Sequence, residues 1–240
     1  MNLNSAIPLF SSQQRRQHFK EVDQKWLKEK LKEGGSIATH RHPIEFFTSD
    51  IAMFINDALI AVYRTIPPEG WILPGGCPES FEELLDPKRV GEREFSEEIL
   101  LLNKRERIVY VVFPHYEKIV RENMKKWGVD DYKIIHLSPK PISLKPQGTK
   151  IVLFFQRKEI TLRVPWFIAT EIGTIVIIRA FSVELPGVDL FDCEVDAQEN
   201  LLNRPVGLFK GGELMKMFVG GRQVLPHKWA TELHRSFAGQ

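Results

Sequence analysis

The first half of the chain alternates between apolar runs and short polar breaks, a pattern that predicts β-structure. Residues 51–55 and 58–63 are almost wholly apolar, and they flank Asn56 and Asp57, a pair suited to a two-residue hairpin turn. A third apolar stretch, residues 71–73, runs directly into a Gly-Gly turn. The pattern therefore predicts a β-hairpin, followed by a short strand that ends in a glycine loop.

A helix is predicted to begin after this loop. Asp86 is a capping candidate, and Pro87 suits the first helical position. Phe95, Ile99 and Leu102 then fall on one side of the helix, so we expect that side to be buried. The rest of its circumference is left for polar residues.

Further helices and strands are predicted on both sides of this segment. Residues 11–33 predict a charged helix whose apolar stripe docks on the protein body or on a partner subunit. Residues 107–113 predict a strand, and Pro114 begins a helix that runs to about Trp127. Residues 132–168 are β-rich.

The last third of the chain contains a long apolar strand and an acidic loop. Residues 173–183 are nearly continuously apolar, which suits the middle of a sheet. After the acidic loop, residues 204–209 lead into a predicted helix near residues 213–218.

Composition narrows the class of protein. The 240 residues are 43% hydrophobic and 27% charged, which fits one large globular domain or a core domain with additions. The net charge of +2 argues against a nucleic-acid partner. Cys77 and Cys193 are too few for a disulfide framework, so we expect a reducing, cytoplasmic location. No apolar run has the length of a membrane span, and the polar N-terminus has no signal-peptide pattern.

Three carboxylates are predicted to share one face of the helix. Glu94, Glu97 and Glu98 stand at i, i+3 and i+4, where like charges repel by about 0.2–0.5 kcal/mol per pair. A bound cation would offset this repulsion, and oxygen ligands suit Mg²⁺ or Mn²⁺. Gly75 and Gly76, just before this segment, tolerate positive φ and let other groups approach the backbone closely.

Residues 76–101 resemble the Nudix box, which joins a glycine, a glutamate and an Arg-Glu-apolar-x-Glu-Glu run. Gly76 and Glu82 supply the opening, and Arg93 begins an uninterrupted Arg-Glu-Phe-Ser-Glu-Glu run. The chain departs from the pattern in three places, one of which is Phe81, where a glycine is common before the first glutamate. Ten residues instead of seven separate Glu82 from Arg93, which is a three-residue insertion, and Leu100 replaces the closing glycine.

The resemblance implies an α/β fold of the Nudix type, an α/β/α sandwich with a mixed β-sheet. An N-terminal helix and an inserted segment would be additions to this core. We expect a helical extension at residues 1–35, a Nudix domain at 36–222 with an insertion at about 114–168, and a tail at 223–240.

The resemblance also implies a function, the Mg²⁺- or Mn²⁺-dependent hydrolysis of a nucleoside diphosphate linked to another moiety. Nucleotide sugars and ADP-ribose-like compounds are slightly favoured as substrates, because the additions could form an extended pocket or a dimer arm. Glu97 and Glu98 are the first candidates for metal ligands and Glu94 the next. Glu82 is a weaker candidate, and Arg93 would orient the glutamates. The backbone at Gly75 and Gly76 would shape the substrate-binding loop beside the metals.

The general base stays open, with Glu184, Glu194 and Glu199 as loop candidates beside the box glutamates themselves. The longer box loop also motivates an alternative, a non-catalytic Nudix-fold protein that binds a nucleotide-like ligand or serves as a scaffold. Metal-dependent turnover would distinguish the enzyme from both.

Overall fold

The structure is a computed structural model that describes most of the central part of the chain. The described residues are 43–44, 47–64, 70–143, 149–155, 158–164, 167–171, 174–196 and 198–210. The helices predicted at residues 11–33 and near 213–218 lie outside the described residues.

Strands predominate over helices in the described residues. The strands are β1 (Pro43–Ile44), β2 (Phe47–Ile55), β3 (Ala58–Arg64), β4 (Gly70–Ile72), β5 (Gly75–Gly76), β6 (Ile99–Asn103), β7 (Ile108–Val111), β8 (Lys133–His136), β9 (Lys140–Ile142), β10 (Thr149–Phe155), β11 (Lys158–Val164), β12 (Phe167–Glu171), β13 (Thr174–Val183), β14 (Asp189–Asp192) and β15 (Val206–Phe209). The helices are α1 (Phe81–Leu85), α2 (Pro87–Glu98) and α3 (Glu117–Lys126), with a 3₁₀ turn at Pro114–Tyr116.

A mixed sheet of eight strands forms the largest layer among the described residues. Its main path runs β12-β13-β2-β3-β15, while β4, β5 and β9 pair with β3, β2 and β13 in turn. The pairing of β13 with β2 is parallel, and the other pairings in this sheet are antiparallel. The long apolar strand is thus inside the sheet, as its sequence predicts.

The predicted hairpin is confirmed. β2 and β3 pair antiparallel through Phe54 with Leu59 and Ile55 with Ala58. Between them Asn56 and Asp57 have φ angles of 47° and 63°, as a tight turn with two left-handed residues requires. The Asn56 side chain also exchanges hydrogen bonds with the backbone of Leu185, at 2.7 and 2.9 Å, which fixes the turn against the end of β13.

A second sheet, in the order β14-β6-β7-β8, lies between the large sheet and helix α3. On one side of β6, Ile99 and Leu101 belong to the same apolar cluster as Ile51 of β2. On its other side, Leu100 and Leu102 belong to a cluster that includes Val120 and Met124 of α3. Two buried faces explain why β6 is an unbroken apolar run.

The predicted end of the box helix is wrong. The sequence suggested that Phe95, Ile99 and Leu102 share one helical face, but α2 ends at Glu98. Ile99 and Leu102 instead belong to β6, where they point to opposite sides. The physical reason is sheet pairing, because residues 99–102 form an antiparallel ladder with β14 and are buried on both faces.

Both ends of α2 are held by specific hydrogen bonds. At the start, the Asp86 side chain accepts from the Lys88 amide, with Pro87 in the first turn, as predicted. At the end, the buried Asn123 amide of α3 donates to the carbonyls of Ser96 and Glu97, at 3.0 and 3.1 Å. These carbonyls would otherwise lack partners at a helix terminus.

The α/β class with mixed sheets and helices is confirmed, and the domain boundaries stay predictions. In the described part of the chain, no helix combines the length and apolar character needed to cross a bilayer.

The contact between α2 and β2 yields a stability prediction. A methyl group on Gly91 would lie 2.9 Å from the Ser49 hydroxyl and 3.1 Å from the Ile51 Cδ1. We expect Gly91→Ala to lower the free energy of unfolding by about 1–3 kcal/mol, because this interface cannot accept the added volume. In a Ser49→Ala background the loss should be smaller, and urea unfolding of the four proteins measures the difference. A stabilising Gly91→Ala, as helix propensity alone predicts, would contradict this packing.

Candidate metal and phosphate site

A buried arginine organises the box segment. The Arg93 side chain is only 9% exposed, and its Nε and Nη2 atoms donate to both carboxylate oxygens of Glu83, at 2.7 and 3.1 Å. Nη1 donates to Glu97 at 2.7 Å, and Nη2 also reaches Glu94 and the Cys77 carbonyl, both at 3.0 Å. One guanidinium thus connects the loop after β5, helix α1 and helix α2 through charge-assisted hydrogen bonds.

The glutamate that holds Arg93 is Glu83 and not Glu82. Glu82, the position singled out by the Nudix resemblance, is exposed in the first turn of α1, whereas Glu83 is buried. The three-residue insertion does not lengthen a loop, because only Asp86 separates α1 from α2. A sequence signal for Glu83 was present, because Ser80 and Glu83 have the spacing of a capping box, and the Ser80 hydroxyl accepts from the Glu83 amide at 3.2 Å.

The two loop glycines pack directly against the carboxylates of α2. Gly76 pairs with Ser49 of β2, and a side chain there would overlap the Glu94 carboxylate. The Gly75 amide donates to Glu98 Oε2 at 3.3 Å. The glycines are therefore required for close approach rather than for a positive φ, because the positive-φ glycines of the described residues lie elsewhere in the chain.

A second buried arginine, Arg204, which the sequence alone does not connect to the box, lies near Glu98. Arg204 Nη2 lies 2.7 Å from Asp192 Oδ1, 3.5 Å from Glu98 Oε1 and 3.4 Å from Glu194 Oε2. Of the three loop candidates for the base, the structure thus brings Glu194 to the box carboxylates. Glu184 and Glu199 are exposed.

Burial and crowding make ionisation of these glutamates costly. Burial, aided by the charges of Glu97 and Glu194, raises the pKa of Glu94 to about 8, against the lowering effect of Arg93. Burial also raises the pKa of Glu97 above its ordinary value. The pKa of Glu98 is raised strongly, first by burial and then by the neighbouring charge of Glu194.

The donor set fits a hard divalent cation. The side-chain donors are carboxylate oxygens, which such cations prefer, and the carboxylates outnumber the two guanidinium groups. The Glu94 carboxylate fits beside Gly76 because that residue has no side chain. Within the described residues, no three His, Cys, Asp or Glu side chains already converge as a ligand group. The glutamates are instead divided between two arginines, with Glu94 and Glu97 at Arg93 and Glu98 and Glu194 at Arg204.

Comparisons with known proteins find structural likenesses only. No protein-family model and no curated protein sequence matches the chain. A bifunctional NMN adenylyltransferase/ADP ribose pyrophosphatase from Francisella tularensis is 14% identical with a TM-score of 0.39, and the match covers 91% of this chain and 45% of that one. Another structure of that enzyme is complexed with AMP and a Mn ion.

Two smaller proteins give matches over most of their length. An Ap4A hydrolase from C. elegans is 12% identical with a TM-score of 0.40, over 81% of this chain and 99% of that one. A NUDIX hydrolase from Nitrosomonas europaea is 13% identical with a TM-score of 0.37, over 82% and 90% of the two chains. Identities and TM-scores this low do not support an inference about function. The likeness to the Nudix box stays a resemblance of residues 76–101.

Glu83 is buried and Glu82 is exposed, so the two neighbours should differ in their contribution to stability. We expect Glu83→Gln to lower the free energy of unfolding by about 1.5–3 kcal/mol, because Arg93 loses a charged hydrogen-bond partner in a buried position. Glu82→Gln serves as the matched control and should change it by less than about 0.5 kcal/mol, since Glu82 is exposed. Urea unfolding measures both, and equal effects would contradict the assignment of Glu83 as the partner of Arg93.

The raised carboxylate pKa values predict a pH dependence for the metal-free protein. Glu94 has an ordinary pKa of 4.5 and a folded-state pKa of about 8, so between these two pH values the folded state retains a proton that the unfolded state has lost. Stability should therefore fall as pH rises from 4.5 to 8. Glu94→Gln should reduce this slope, and thermal melting at several pH values in a chelating buffer measures it. An unchanged slope in the variant would contradict the effect of burial on Glu94.

Proposed function

We propose that the chain is a divalent-cation-dependent hydrolase of the Nudix type, which cleaves the pyrophosphate of a nucleoside diphosphate linked to another moiety. One observation supports the proposal: Glu94 and Glu98 both pack against the Gly-Gly strand, Glu94 beside Gly76 and Glu98 beside Gly75. Glu97 shares Arg93 with Glu94, and Glu194 shares Arg204 with Glu98, so the carboxylates outnumber the two guanidinium groups. On a solvated acidic helix face the side chains of Glu94 and Glu98 would not be only 14% and 7% exposed, each beside a guanidinium group.

The roles follow from the contacts. Glu97 and Glu98 would hold Mg²⁺ or Mn²⁺, with Glu94 as a further ligand. When bound, such a cation neutralises phosphate charge and lowers the pKa of a water molecule. Arg93 fixes the carboxylates of Glu94 and Glu97 by hydrogen bonds and does not itself reach substrate.

The backbone of the Gly-Gly strand and the acidic loop contribute to the same site. Gly75 orients Glu98 through its amide, and Gly76 leaves room for the Glu94 carboxylate. Of the loop candidates for the base, Glu194 is the one that lies with Glu98 at Arg204, where it would either help to hold the cation or accept a proton from an attacking water. The box glutamates remain the other candidates for the base.

The substrate we propose first is a nucleotide sugar or an ADP-ribose-like compound. A diphosphate inside such a molecule presents the negative charge that a carboxylate-bound cation would neutralise. We further propose that the protein acts in the cytoplasm, where the thiols of Cys77 and Cys193 would stay reduced.

The proposal is tested by phosphate release in a phosphatase-coupled assay. The panel contains nucleotide sugars, ADP-ribose, nucleoside triphosphates, dinucleoside polyphosphates and capped RNA, each with Mg²⁺ or Mn²⁺. Glu98→Gln should lower turnover by at least about 100-fold, because it removes a charged ligand, while the fold is retained. Glu82→Gln is the control and should retain most of the activity.

Two results would contradict the proposed hydrolase activity. One is an absence of metal-dependent turnover across the panel by a folded protein that still binds one of these nucleotides, which would favour the non-catalytic alternative. The other is full activity in Glu98→Gln, which would place the chemistry elsewhere.

A further inference from the structure

Sheet pairing carries the acidic loop to the end of the box helix. Strand β14 pairs antiparallel with β6, so that Asp192 lies opposite Ile99, the residue that follows α2. The ladder continues with a hydrogen bond of 2.8 Å from the Cys193 amide to the Glu98 carbonyl. Glu194 therefore begins a loop that starts beside Glu98.

The 192–204 loop closes on itself. Val195 and Leu201 form an isolated antiparallel bridge, and the Leu202 amide donates to the Glu194 carbonyl at 2.9 Å. At its end, the Arg204 amide donates to Asp192 Oδ2 at 2.7 Å. The backbone of the loop is thus fixed where it leaves and rejoins the site.

The side chains of Asp192 and Arg204 add a second, stronger closure. Arg204 Nε and Nη2 donate to Asp192 Oδ1 at 3.0 and 2.7 Å, and the Asp192 side chain is only 1% exposed. The same Nη2 atom faces Glu98 and Glu194. Asp192 therefore sets where the guanidinium can lie, and the guanidinium sets how closely the two glutamates approach.

We propose that Arg204, fixed by Asp192, is a positioning residue that holds Glu98 and Glu194 together as a carboxylate pair for the divalent cation. Their carboxylates lie 3.5 and 3.4 Å from the same Arg204 Nη2 atom, and this guanidinium offsets the repulsion that would separate them when both are ionised. The hydrogen bonds of Arg93 go instead to Glu83, Glu94 and Glu97 and to the Cys77 carbonyl. The inference rests on the metal site of the proposed function and adds the group that assembles half of it.

The direction in which cation affinity changes when Arg204 is replaced distinguishes a positioning role from a purely electrostatic one. Removal of a positive charge near a cation site should tighten cation binding if Arg204 acts only through its charge. If Arg204 positions the carboxylates, its removal should weaken binding by about 10–100-fold, as loss of a ligand-orienting partner commonly does. A role limited to folding would lower stability and leave the affinity per folded molecule unchanged.

The experiment measures the dissociation constant of Mn²⁺ alone, by electron paramagnetic resonance of the free ion, on the full chain. Arg204→Gln and Asp192→Asn should both weaken binding, because each removes one half of the closure. Arg179→Gln is the matched control: Arg179 makes a similarly buried ion pair of 2.8 Å with Glu92 of the same helix, and the change should alter the constant less than about twofold. Melting curves establish the folded fraction of each variant.

The outcomes separate this inference from the proposed function. Unchanged or tighter Mn²⁺ binding by folded Arg204→Gln would overturn the positioning role and leave the proposed function intact. If that variant does not fold, an unchanged Mn²⁺ dissociation constant in Asp192→Asn would overturn the positioning role. Wild-type binding that Glu98→Gln does not weaken overturns both the metal site and this inference. With a substrate in hand, the positioning role also predicts a fall in kcat at saturating metal with little change in KM.

Discussion

The hydrogen bonds of Arg93 are the constraint on which the candidate site depends. A planar guanidinium with five donors is the one side chain that can bind a carboxylate in bidentate fashion and still reach further acceptors in the same plane. Here it holds Glu83, Glu94 and Glu97 together with the Cys77 carbonyl. Helix α1 is only five residues long and would be marginal alone, so its position depends on this contact.

The two buried arginines divide the site into halves that a cation could join. Arg93 collects carboxylates of α1 and α2, and Arg204 collects those of the 192–204 loop with Glu98. Each half is partly neutralised, yet the whole keeps an excess of buried carboxylates. Such an arrangement lowers the stability of the isolated chain, as functional sites often do, and binding of a cation would reverse the loss.

The sequence predicts those features that local patterns determine. The hairpin turn at Asn56, the start of α2 at Pro87 and the apolar strand within the sheet follow from residue types at short spacing. The end of α2 does not, because an Ile-Leu-Leu-Leu run is compatible with helix and strand, and only pairing with β14 decides. The contact of Arg204 with the box cannot be predicted from local spacing either. Arg204 lies about a hundred residues further along the chain, and the pairing of β14 with β6 brings it there.

The difference in sequence separation between the two halves has a consequence for folding. The contacts of Arg93 span residues 77–97 and can form as soon as α1 and α2 do. The contact of Arg204 with Glu98 forms only after β14 has paired with β6. These two strands are far apart in sequence, so their pairing closes a long loop and has a high contact order. We therefore expect the Arg204 half to form late in folding and to open first in partial unfolding, which would leave hydrogen exchange faster at residues 193–204 than in α2.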